Sequence, residues 1–107
     1  TFVGTPYYLS PEICEEKPYN EKSDIWALGC CIFQMTNLKH PFNASNQPAL
    51  IMKILNSPVP SILSIYSKEL QEIVNLMLDK DHLTRPKLNE IIRNESFLIK
   101  CKQYNLL

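Results

Sequence analysis

Glycine is nearly absent: Gly4 and Gly29 are the only two in 107 residues, so the chain cannot carry a phosphate-cradling loop of the G-x-G-x-x-G kind. Net charge is absent too. The 11 Lys and Arg balance 11 Asp and Glu, leaving no overall field to draw in nucleic acid or an anionic membrane surface, and neither is expected as a partner. Apolar runs stay far short of the roughly 18 residues that a membrane-spanning helix needs, and no basic start precedes an apolar segment of the signal-peptide type. An intracellular, cytoplasmic protein is expected. The four cysteines, at positions 14, 30, 31 and 101, form no C-x-x-C pair, so zinc and disulfide arrangements are poorly supported and buried free thiols are expected instead. Strand signals are scarce. The chain opens in loop-like sequence without an initiator Met, as a fragment of a longer protein would, and its length allows one modest core or part of one domain.

What is present is punctuated helix. Ser10 to Cys14 predicts a short helix entered through Pro11, and the polar stretch from Glu15 to Lys22 contains Pro18, which stops any continuation. Ser23 is the expected N-cap of the next helix, with Asp24 placed to favour its N-terminus. In that helix Ile25, Leu28, Gly29, Ile32 and Phe33 fall at helical spacing, and Trp26, Ala27, Cys30, Cys31 and Met35 fill the other faces. A helix apolar nearly all round is expected to be buried at the centre of the fold. His40-Pro41-Phe42-Asn43 reads as a stop and turn, and residues 47 to 56 read as a helix with Leu50, Ile51, Ile54 and Leu55 on one stripe. Ser67 caps a segment in which Leu70, Ile73, Val74, Met77 and Leu78 give the cleanest amphipathic pattern of the chain. After a polar connector from Asp79 to Thr84, Pro86 opens a last helix with Leu88, Ile91 and Ile92 inward, and residues after Glu95 read as a short apolar tail. The fold class is all-α.

The opening peptide, Thr1-Phe-Val-Gly-Thr-Pro-Tyr-Tyr-Leu-Ser-Pro-Glu12, is unsuited to helix or strand. Gly4 admits otherwise forbidden backbone angles, while Pro6 and Pro11 each fix one φ and push the preceding residue towards extended geometry. The peptide resembles the end of a protein kinase activation segment, with Ser10-Pro11-Glu12 in place of Ala-Pro-Glu. Asp24-Ile25-Trp26-Ala27-Leu28-Gly29 resembles the Asp-x-Trp-x-x-Gly of the kinase C-lobe, and Arg85 resembles the arginine that pairs with the Ala-Pro-Glu carboxylate. The wording of the loop is most similar to that of the NIMA-related serine/threonine kinases. The resemblance implies a partial kinase domain over residues 1–98, namely the helical C-lobe portion without N-lobe or catalytic loop, followed by a C-terminal tail over 99–107.

The resemblance also implies roles. Thr5 would help align the phospho-acceptor hydroxyl beside catalytic groups lying outside this chain, and Gly4, Thr5, Pro6, Tyr7 and Tyr8 would form the substrate-binding loop; read alone, Thr5 is an ordinary loop hydroxyl. Thr1 matches a position that is phosphorylated to order the loop through arginines elsewhere. Glu12 would be clasped by the fork of Arg85, against the alternative of two solvated side chains. Asp24 would brace the catalytic loop, or simply stabilise a helix N-terminus. Trp26 and Gly29 read as packing residues. The helix over 47–56 matches a docking helix, or an ordinary surface helix; Ala49 to Met52 fits a preference for an apolar substrate residue.

No V-A-I-K lysine, H-R-D-x-x-x-x-N or D-F-G occurs. The expected protein is thus part of a serine/threonine kinase using ATP and magnesium, with no catalytic residue and no cofactor of its own and no metal site in this chain. Its partners would be protein substrates and the remaining kinase domain. The alternatives are a non-catalytic binding module, such as a pseudokinase remnant, and an unrelated all-α adaptor. In isolation the chain is expected to expose part of the central helix and to behave as an aggregating or molten species.

Overall fold

In the computed structural model, which describes residues 6–106, every regular element is helical: α1 (Pro11–Cys14), α2 (Glu21–Asn37), α3 (Gln47–Asn56), α4 (Lys68–Met77), α5 (Leu88–Ile92) and α6 (Glu95–Gln103). No strand occurs among the described residues. Most starts have a visible local cause. Pro11 sits in the first turn of α1, where a missing N–H does no harm. The side chains of Asn46, Ser67 and Asn94 accept from the first turns of α3, α4 and α6.

Helix α2 begins three residues earlier than the position of Asp24 implies. Its cap is Asn20, whose Oδ1 accepts from the Lys22 N–H at 2.8 Å, so Ser23 is not the cap but lies inside the first turn, where its Oγ accepts from the Asn20 N–H and its own proton remains to be donated elsewhere. The helix ends at Leu38, which takes left-handed angles with φ 58°. Pro41 two residues beyond His40's predecessor then disfavours helical geometry at His40, and the chain reverses towards Phe42.

One core is built on α2. Trp26, Cys30 and Phe33 pack with Phe42, Leu50 and Ile54, and with Ile62, Val74 and Leu78. A second cluster joins Ile25, Ile73, Met77 and Ile91. Helix α4 carries the link between the two, and Gly29 permits its close approach. A Cβ at Gly29 would lie 2.8 Å from the Met77 Cβ and 2.9 Å from the Leu78 Cδ2, closer than carbon atoms tolerate.

Three expectations from sequence need correction. Helix α2 is not buried all round: Leu28 and Met35, one and the same face two turns apart, are 41% and 68% exposed. In α5 only Ile91 is buried, while Leu88 and Ile92 are exposed at the rim of a groove of about 710 Å³. A helix of barely more than one turn has room to bury a single contact. The residues after Glu95 are not a tail but helix α6, with Glu95 in its first turn and Lys100 and Lys102 in its last, each sign matching the helix dipole.

Candidate functional site

Glu12 enters the interior because α1 is only one turn long and is followed by a reversal in which the Lys17 N–H donates to the Glu12 carbonyl at 2.8 Å. Arg85 arrives from the far end of the chain, where its own N–H donates to the Asp81 carbonyl. The two side chains are 1% and 0% exposed. Arg85 Nη1 donates to Glu12 Oε2 at 2.8 Å and Nη2 to Oε1 at 2.9 Å, the fork-to-fork geometry that suits guanidinium and carboxylate.

The remaining bonding capacity is also used. Ser23 Oγ donates to Glu12 Oε2 at 2.8 Å, Arg85 Nε donates to the Asp79 carbonyl at 2.7 Å, and Nη1 also donates to the Lys22 carbonyl at 2.8 Å. The guanidinium lies 5.3 Å from the Trp26 ring centroid, and Trp26 stacks on Phe42. Burial by itself pushes the Glu12 carboxyl up, but the bonds from Arg85, the backbone and Ser23, with the Arg85 charge, outweigh it and hold the pKa at about 2. The Glu12 carboxyl is therefore ionised at neutral pH, and the pair joins α1, the start of α2 and the segment after α4.

Upstream of this corner, Pro6 to Leu9 form a turn closed by a bond from the Leu9 N–H to the Pro6 carbonyl. The Tyr7 ring stacks on His40 with centroids 3.6 Å apart and planes 4° from parallel. Tyr8 meets the same imidazole edge-on at 5.9 Å, and its hydroxyl donates to Gln34 Oε1 on α2. Burial and the neighbouring Cys31 push the Tyr8 phenol up. Pro6 to Leu9, His40 and Asp24 border a cleft of about 460 Å³. Asp24 is exposed in the first turn of α2, which suits stabilisation of the helix N-terminus.

The structure thus brings Tyr7, Tyr8 and Asp24 to one cleft, and Glu12, Arg85 and Trp26 to the adjoining corner. Gly29 lies on the opposite, α4-facing side of α2. Thr1, Gly4 and Thr5 lie outside the described residues. Three participants escape motif reading. Ser23 was assigned to capping, Gln34 has no motif, and His40 read only as part of a stop; the signal for the last two was the pair of adjacent tyrosines, whose rings and hydroxyls require partners when partly buried. The cysteines are free, and burial pushes the Cys30 thiol up to about 12, away from reactivity.

The residues present do not fit a nucleotide–metal centre. Among those described, no three His, Cys, Asp or Glu side chains gather where a metal could be held, and the corner's one acidic group is consumed by Arg85.

Residues 1–97 match the protein kinase domain family, and the chain belongs to that family, as a helical portion of its domain. Among individual proteins it is 52% identical over 92 residues to the serine/threonine-protein kinase Nek8 of Danio rerio, an alignment covering 86% of this chain and 13% of that protein. It is 46% identical to Nek4 of Mus musculus over 87% of this chain and 12% of the relative, and 45% identical to mouse Nek1 over 94% and 8%. The resemblance to NIMA-related kinases noted in the loop therefore extends through the helices. The chain spans about a tenth of the length of these relatives.

Proposed function

We propose that this chain is the substrate-binding loop and helical scaffold of a serine/threonine protein kinase whose longer polypeptide transfers the γ-phosphate of ATP to Ser or Thr hydroxyls of protein substrates. The observation that carries the reading is the buried Glu12–Arg85 fork, which ties the end of the loop to the helical body. A loop fixed at its downstream end can hold an acceptor in line, and phosphoryl transfer depends mainly on such placement.

In this reading Thr5 aligns the acceptor hydroxyl, Gly4 to Tyr8 receive the residues beside it, and a phosphate on Thr1 orders the loop by pairing with arginines outside the chain. ATP and magnesium are held by the remaining kinase domain, and none of the present residues takes part in holding them. The full-length protein, incubated with labelled ATP, magnesium and dephosphorylated casein, is expected to form phosphoserine or phosphothreonine. Thr5→Ala should lower kcat by at least about tenfold, the scale on which misplacement acts. Casein bound without any phosphate transfer would replace this reading with that of a non-catalytic binding module.

A further inference from the structure

The features that end α2 and reverse the chain towards Phe42 also hold His40 against the loop. Leu38 turns the chain with left-handed angles, Pro41 keeps His40 from continuing α2, and the imidazole lies flat on Tyr7 and against the edge of Tyr8. Its Nδ1 is buried and has no hydrogen-bond partner among the described residues. In the described contacts this position contributes a flat aromatic face.

That face acts where the loop has few described hydrogen bonds. The bonds described for Pro6 to Leu9 are a local one within the turn and the Tyr8 hydroxyl to Gln34. The Glu12 fork acts several residues downstream. Tyr7 and Leu9 also pack against the core cluster around Trp26, but the orientation of the Tyr7 ring is set by its flat stack on His40. We infer that His40 is a positioning residue for the substrate-binding loop: by stacking on Tyr7 it fixes the loop shape that the protein substrate meets, and so sets substrate affinity. The inference rests on the kinase reading of the loop.

The test uses the full-length protein with dephosphorylated casein as acceptor. An aromatic pair of this kind translates into roughly a two- to tenfold effect. His40→Ala is expected to raise the casein KM by about that factor, with kcat and the ATP KM little changed, and His40→Phe is expected to restore the casein KM because it keeps the face. A residue that merely stabilised the fold would lower the active fraction, and hence the apparent kcat, leaving KM untouched. An unchanged casein KM in His40→Ala overturns the inference, as does His40→Phe proving as impaired as His40→Ala. If the wild-type protein transfers no phosphate, it is the kinase reading that fails, and the same two variants are then compared by anisotropy of labelled casein, where equal binding overturns the role of His40.

Discussion

Around helix α2 the Glu12–Arg85 corner and the face carrying Leu28 are built from opposite materials and end in opposite states. The corner holds two full charges, yet it is closed: every side-chain oxygen of Glu12 is bonded, and Arg85 donates from all three nitrogens. The Leu28 face is apolar, yet it is open, with Leu28 and Ile32 beside a groove of about 710 Å³ shared with α4, α5 and α6. Hydrophobicity would have assigned the interior the other way round. Burial here follows the availability of partners: a charge goes inside when its bonds are all met, and a leucine stays outside when no described element covers it.

The corner is where the comparison can be broken most forcefully. Arg85→Ala would leave the Glu12 carboxylate buried and alone, and a loss of about 3–5 kcal/mol is expected in urea unfolding of the full-length protein. Arg85→Lys keeps the charge but not the planar fork, so it should fall between wild type and Arg85→Ala. A loss below about 1 kcal/mol in both would mean that the pair behaves as a surface ion pair in solution.

Acid sharpens the same contrast without mutation. The Glu12 pKa of about 2 in the folded chain lies below its ordinary value of 4.5, so its contribution is complete above pH 4.5 and is lost as pH falls through the interval down to about 2. By linkage the loss amounts to about 3 kcal/mol. Unfolding free energies measured from pH 6 downward should decline through this window, and Glu12→Gln should flatten the decline. An equal decline in Glu12→Gln would place the acid-sensitive group elsewhere.

How much of this was legible in the sequence differs between the two regions for a physical reason. The fork could be foreseen because Ser10-Pro11-Glu12 and Arg85 belong to an ordered set of motifs, and α4 because Leu70, Ile73, Val74 and Met77 recur at helical spacing and are indeed its inward face. Helix α6 was missed because it buries no residue fully; it lacks a strong apolar stripe and is marked only by its end signals, Asn94 and the Lys100–Lys102 pair. Leu88 and Ile92 have the composition of core and the position of a rim. Local pattern reports what a residue could bury, whereas the elements present decide whether it does. For His40 the sequence offers only the hint that the adjacent tyrosines need partners, since Tyr7 is brought to it by the chain reversal after α2.

The smallest effect is expected on the open face. Met35 is 68% exposed, two turns along α2 from Leu28, so most of its side chain is already in water and little transfer free energy is lost by making it polar. Glutamine has nearly the same helix propensity as methionine, so helix formation is left unchanged. Met35→Gln should therefore shift the unfolding free energy of the full-length protein by no more than about 0.5 kcal/mol, measured in the same urea titration as Arg85→Ala. A loss above about 1.5 kcal/mol would require that Met35 be covered in solution, by rearrangement of α2 or by association of chains. The protein-concentration dependence of the midpoint separates those two causes, because only association makes the apparent stability vary with concentration.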